Sequence, residues 1–374
     1  MKVAGIMTLL NIEYRLMKLR GWLAVGLLII ALTGCQSTHR EIKTESANSV
    51  EIAKLDRFIE ERMEALKVPG VSIVIVRDGK ITYRGAFGVK NTLTGEKITN
   101  STLFEAASLS KPFFAYFVML QVQKGLIELD EPLYQYHPNK HLLIDSRHKQ
   151  ITARMLLTHT SGLVNWRKNA GDELEVLFTP GTQFQYSGEG YEYLRRVLQE
   201  LLKVDDDGLQ AIVEKEVVEA VGANFMKYTW NDEILSRKAF GHRNGSPTDN
   251  YKHDMNFGAS YSLNTSAEDY AKFLIALMWP QAVNREVVDE FLAIQYQMPS
   301  EVGEMHRSLG FPVKKTEKGM RYYHSGNNGD FRAYCHFYKD KGYGIIMFGN
   351  SDNLFSSNLA REIVEYLDDT WFYM

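Results

Sequence analysis

Ser108-Leu109-Ser110-Lys111-Pro112-Phe113-Phe114-Ala115-Tyr116-Phe117-Val118-Met119-Leu120 is the stretch from which the rest of the chain is read. Pro112 suits a first helical turn, where its missing N–H has no partner to lose, and Gly125 supplies a stop. From Phe113 to Leu120 every face is apolar, which predicts a helix buried on all sides. The run is too short to cross a membrane, which takes about 20 apolar residues. Ser108 and Lys111 therefore stand at the mouth of a core helix, and a spacing of three puts hydroxyl and amine on one face. An amine shielded from water gives up its charge more readily and can then take a hydroxyl proton. The positive end of the helix also favours an alkoxide or oxyanion nearby. S-x-x-K alone is common, with Ser as a cap and Lys solvated, so its companions decide.

Outward from this helix, residues 71–76 and 81–87, joined by Asp78-Gly79, predict a hairpin with a favoured two-residue turn. Near the other end, 331–338 and 343–348, joined by 339–342, predict a second hairpin. Ile52, Leu55, Ile59, Met63 and Leu66 form one stripe of a helix over about 50–66, and Phe355, Leu359, Ile363 and Leu367 mark a last helix. The expected fold class is α+β. An antiparallel sheet built from both chain ends (about 50–105 and 310–374) carries helices, and a mainly helical region (about 106–309) is inserted. A helix around Tyr191, Leu194, Val197 and Leu201 belongs to that insertion, and a cleft runs between the two regions.

Composition is that of a soluble globular protein, 45% hydrophobic and 24% charged with a formal net charge of -3, and basic residues are neither in excess nor clustered. That excludes a nucleic-acid footprint. The histidines are scattered without H-E-x-x-H spacing and no Gly-rich phosphate loop is present, so neither a metal nor a cofactor is expected.

Lys18 and Arg20 precede an apolar run from Leu23 to Leu32, which ends in Leu32-Thr33-Gly34-Cys35. This has the form of a bacterial lipobox: a signal peptide over 1–34, with Cys35 lipidated as the mature N-terminus. Met17 would begin a signal of normal length, with 1–16 an upstream extension. Residues 35–49 read as a polar, lipid-anchored tether and 50–374 as the folded domain. Gln36 after the cysteine resembles Gram-negative lipoproteins of the outer membrane, which implies a place in the cell envelope facing the periplasm. Cys335, the other cysteine, falls on the apolar side of its strand and is expected to be a buried thiol. The 340 residues from Cys35 onward suit one large domain or two intimately packed ones, without repeats or a linker; a monomer is expected.

Phe104-Glu105-Ala106-Ala107-Ser108-Leu109-Ser110-Lys111 is followed in order by Leu156-Leu157-Thr158-His159-Thr160-Ser161-Gly162-Leu163, by Pro180-Gly181 before Phe184-Gln185-Tyr186-Ser187, by Leu263-Asn264-Thr265-Ser266-Ala267-Glu268-Asp269-Tyr270, and by His324-Ser325-Gly326. This ordered set resembles the serine beta-lactamase and penicillin-binding-protein superfamily, above all the class C branch with its esterase and D,D-peptidase relatives. The resemblance implies Ser108 as nucleophile, and Lys111 with Tyr186 as the coupled base. It implies the amides of Ser108 and Asn327 as the oxyanion hole, with His324 and Gly326 against the substrate, Gly326 letting it lie on the strand. The family places asparagine where this chain has Gly188; Glu189 is the neighbour that could fill part of that space. His324 stands where lysine or histidine begins the family's strand motif, and His159 is expected to structure its loop. The implied activity is an exported serine hydrolase cleaving an ester or amide of a small-molecule or peptide-like acyl substrate through an acyl-serine. The alternatives are a D,D-peptidase or class C-like beta-lactamase, and a non-catalytic envelope binding protein on the same fold.

Overall fold

Asp78 and Gly79 both adopt positive φ, 50° and 71°, which a two-residue turn needs if flanking strands are to pair without splaying. They join β1 (Gly70–Arg77) to β2 (Lys80–Gly88) in the expected hairpin. The computed structural model describes residues 40–142, 145–169, 171–248, 256–281, 283–298 and 304–371. In it the hairpin is one edge of an eight-stranded antiparallel sheet. The later strands are β3 (Tyr296–Met298), β4 (Met305–Arg307), β5 (Pro312–Thr316), β6 (Gly319–Asn327), β7 (Arg332–Tyr338) and β8 (Tyr343–Gly349), in the order β3-β4-β5-β6-β7-β8-β1-β2. Both chain ends thus build one sheet. Its boundary differs from expectation, since sheet residues resume at Tyr296 rather than near 310; β3, at the edge, and β4, next to it, are three residues each with weak alternation.

Period-two patterning splits the core by sheet face. On the back, Ile73, Ile75, Ile345 and Met347 pack with Leu55 and Ile59 of α1 (Ile52–Leu66) and with Ile363 near the C-terminus. On the front, Val74, Val76, Ile346 and Phe348 pack with Phe113 of α2 (Ser110–Gln123) and the inserted region. That region includes α3 (Gly188–Leu202) and α4 (Ala267–Met278). As predicted, α2 is buried all round, and Gly125 at φ 69° ends it, its N–H meeting Val122 O at 2.9 Å.

Two further expectations fail. The last helix is broken, because Asn358 turns left-handed (φ 66°) between Asn353–Ser356 and α5 (Leu359–Tyr366). The tether does not reach Ser49: Glu41–Lys43 pairs with Ser49–Glu51, and Ile42, Thr44 and Glu45 are buried. Those polar residues are used in pairing rather than solvated, for Glu45 meets Lys318 at 2.9 Å and also Lys341. Residues 1–34 and Cys35 lie outside the described residues. Among the described residues no helix is long and apolar enough to cross a membrane. Cys335 is buried, and burial pushes its thiol well above the usual range.

The back face also holds a buried polar cluster. Arg321 Nη2 donates to His336 Nδ1 and to Tyr334 Oη, both at 2.7 Å, and Nη1 lies 3.6 Å from Asp369 Oδ1. His336 Nε2 is 3.0 Å from Asp369 Oδ2, and the Tyr338 hydroxyl donates to Oδ1 at 3.0 Å. A ring nitrogen that accepts from guanidinium carries no proton, so His336 is neutral. Burial, aided by Arg321, pushes its pKa down to about 4. Burial opposes the charge of Asp369, but the facing His336 and Arg321 hold its carboxyl well below the usual range.

Candidate active site

Four chain segments converge on the front face. The first is the nucleophile turn. Phe104–Glu105 pairs as a short strand with Asn264–Thr265. Ala107 then adopts φ 49° and swings the chain into a tight 3-10 turn, Ala107–Leu109, ahead of α2. A left-handed alanine costs roughly 1–2 kcal/mol, offset by burial of Ala107 and Leu109 on either side of a half-buried Ser108. Lys111 is 1% exposed. Its Nζ lies 3.3 Å from Ser108 Oγ and donates to Ser260 O at 2.9 Å. Among the described residues no carboxylate pairs with it.

The second segment precedes α3. Ser187 caps that helix, its Oγ accepting from Gly190 N at 2.9 Å. His159, left-handed at φ 59°, accepts the Ser187 N–H on Nδ1 at 3.1 Å and stacks its ring 4.4 Å from that of Tyr186. His159 thus structures the loop as expected and fixes Tyr186. The Tyr186 ring centroid lies 4.7 Å from Lys111 Nζ. Among the described residues the Tyr186 hydroxyl makes no hydrogen bond, and it is the π face that meets the amine.

Gly188 has a steric reason the sequence did not reveal. A Cβ there would fall 2.6 Å from Trp166 Cη2, so the indole already occupies a side chain's place. Glu189 does not fill that space; it pairs with Arg167 Nε at 2.9 Å.

The third segment holds the lysine from behind. Glu192, on α3, accepts from Ser260 N at 3.1 Å and Ser260 Oγ at 2.7 Å through one carboxylate oxygen, and its other oxygen pairs with Arg195 at 3.0 Å. The Ser260 carbonyl is thereby aimed at Lys111.

The fourth is the end of β6. His324, 1% exposed, donates Nδ1–H to Ser325 O at 2.8 Å, which leaves Nε2 a buried acceptor without a partner among the described residues. Burial, then the charges of Arg307 and Lys111, push its pKa down to about 3, so the ring is neutral. Gly326 also has a packing reason: a Cβ there would lie 2.6 Å from Ala106 O and 3.1 Å from Ala107 Cβ, so the bare strand seats the nucleophile turn. Asn328 Nδ2 donates to Glu105 Oε2 at 2.7 Å and to Tyr261 O at 3.2 Å, while Glu105 pairs with buried Lys238 at 2.8 Å. This clamp ties Asn327 to the segment that carries Ser108, so the two expected oxyanion donors lie along one seam.

The structure brings Ser108, Lys111, Tyr186, His324, Gly326 and Asn327 together. Sequence reasoning missed Trp166, Glu192, Glu105, Lys238 and the fully buried Arg307, whose guanidinium lies 5.4 Å from the Phe184 ring. Their partners are far off along the chain, and only an acid inside a predicted apolar stripe, as at Glu192, was a usable signal. Among the described residues no His, Cys, Asp and Glu side chains are grouped as metal ligands. The arrangement offers an alcohol beside a buried amine, with a neutral imidazole whose ring lies 6.5 Å from that of Tyr186.

Comparison with known proteins places these features in a lineage. The chain is 23% identical over 339 residues to Protein flp of Staphylococcus aureus (strain MRSA252), covering 84% of this chain and 65% of that protein, so it spans about two thirds of that relative's length. Over 115 residues it is 34% identical to Esterase EstB of Burkholderia gladioli, 30% of this chain and 29% of that one. The fold superposes on the crystal structure of D-alanine carboxypeptidase AmpC from Burkholderia cenocepacia with a TM-score of 0.71 at 22% identity, covering 84% of this chain and 98% of that one. The Beta-lactamase family profile matches residues 55–367. With that match and the geometry above, the chain belongs to the beta-lactamase family.

Proposed function

We propose that the chain is a serine hydrolase that cleaves an ester or amide through a covalent acyl-serine. The observation that carries this is Lys111: a buried amine 3.3 Å from Ser108 Oγ with no carboxylate partner among the described residues. A buried amine that forms no ion pair is costly to keep as a structural cation. Beside a hydroxyl it is placed to take a proton.

In the proposed cycle Ser108 Oγ attacks the substrate carbonyl carbon as its proton passes to Lys111 Nζ. The oxyanion forms against the amides of Ser108 and Asn327, each donor contributing roughly 3–4 kcal/mol at the transition state. Collapse breaks the bond to the leaving group, which departs with the proton from Lys111. Water then attacks the acyl-serine, its proton returns through Lys111, and Ser108 is released with the acid product. The Tyr186 ring lies against the ammonium formed in each half-cycle, a cation–π contact stronger for the charged form than for the amine. Turnover of an activated ester such as p-nitrophenyl acetate, abolished in Ser108→Ala, is the expected result; equal turnover by both proteins contradicts the proposal.

Trp166 at the Gly188 position favours ester cleavage over action on peptide-like cell-wall substrates, because no amide side chain is available there to meet a substrate acylamino group. The resemblance to a D-alanine carboxypeptidase supports the alternative, and acylation by a fluorescent penicillin in place of ester turnover is the result that favours it. We also infer that the chain is exported and anchored through Cys35, facing the periplasm; loss of palmitate labelling in Cys35→Ser is the expected outcome.

A further inference from the structure

Trp166 is 47% exposed although it stands between two fixed neighbours. Asn165 caps α3, its Oδ1 accepting from Gly188 N at 2.9 Å and its carbonyl from Glu189 N at 3.0 Å. Arg167 on the other side is held by Glu189. The indole is therefore pinned by its backbone while much of one surface stays open. One edge lies on Gly188, two residues after the Tyr186 ring that covers the lysine. The other meets Tyr261 edge-on, ring centroids 5.8 Å apart, next to Ser260, whose carbonyl holds the same lysine. The two rings thus join the segments on either side of Lys111.

An open, rigid indole beside a reactive centre is a flat apolar contact surface whose orientation needs no further ordering on binding. We propose that Trp166 is the specificity-determining residue of this site: with Tyr261 it forms an aromatic wall that selects esters or amides bearing an aryl or similarly flat apolar group on the acyl side. Gly188 is the matching half of the device, since any side chain there displaces the ring. This inference rests on the hydrolase reading above and deepens it.

The test compares kcat/KM for p-nitrophenyl phenylacetate and p-nitrophenyl acetate. The wild-type chain is expected to prefer the phenylacetyl ester. In Trp166→Ala the ratio between the two falls roughly tenfold or more, the range one apolar pocket contact commands, while Trp166→Phe retains most of it. Gly188→Ala, whose backbone has no positive φ to strain, lowers the ratio in the same direction, and adding it to Trp166→Ala changes nothing further, because the ring it would push is gone. Turnover of both esters with a ratio untouched by Trp166→Ala overturns the wall and leaves the hydrolase reading standing. Turnover of neither ester overturns the hydrolase reading, and the wall with it.

Discussion

The two faces of one sheet bury polar groups in opposite ways. On the back, Arg321, His336 and Asp369 are closed off from solvent, yet each meets the next within 3.6 Å. On the front, β6 and α2 bury His324 and Lys111 just as deeply. There, among the described residues, the His324 Nε2 has no partner, and the amine meets a hydroxyl and a carbonyl but no carboxylate. Burial of a titratable side chain thus does not mark a reactive site. What sets the front face apart is a buried amine beside a hydroxyl with no carboxylate to hold it among the described residues, costly in the resting fold and available to a reactant.

Changes that separate the two faces test this contrast. The largest effect is expected from Lys111→Met, which should cost roughly 10²- to 10⁴-fold in ester kcat but at most about 1–3 kcal/mol of stability, for the Ser260 carbonyl left without its donor. A loss of about 3–5 kcal/mol would place Lys111 with the structural charges. Asp369→Asn should do the reverse. Breaking one side of a buried charge cluster costs about 3–5 kcal/mol of stability, read by urea unfolding, with ester turnover per folded molecule unchanged.

Acid should act on both faces through their histidines. His324 and His336 have folded pKa values pushed down to about 3 and about 4, against about 6.5 unfolded. Between those values the unfolded chain binds the extra protons. The stability is therefore complete above about pH 6.5 and declines as pH falls through the window, by roughly 1.4 kcal/mol per pH unit for each histidine. Urea midpoints measured from pH 7 to pH 4 check this, and His324→Gln should flatten the slope by one proton. The smallest effect is expected from Glu192→Ala, which frees the Ser260 carbonyl to drift from the lysine. A roughly tenfold loss in kcat with little change in KM is expected, largely rescued by Glu192→Gln, whose amide oxygen can still accept from Ser260.

How much of this was legible in the sequence depended on how local each cause is. The Asp78-Gly79 turn, the apolar wrap of α2 and the Ser108–Lys111 spacing are set by neighbours within a turn, and all were read correctly. The ordered motifs added Tyr186, His324 and Asn327, which fold to one place. What failed was decided at a distance. Trp166 reaches Gly188 across 22 residues, and Glu192 reaches Ser260 across 68. Residues 41–49 look like tether by composition, yet Glu45 is buried against lysines from two later strand connections. The packing of Gly326 against Ala106 and Ala107 was equally out of view, because a missing side chain does not say which neighbour needs the space.

The most direct test of the Ser108–Lys111 pair is intact-mass measurement after brief incubation with a fluorophosphonate, followed by peptide mapping. One adduct on Ser108 is expected in the wild-type chain, slowed by orders of magnitude in Lys111→Met and absent in Ser108→Ala. Labelling that persists in Ser108→Ala, or that proceeds at the wild-type rate in Lys111→Met, would contradict the claim that the buried amine activates that hydroxyl.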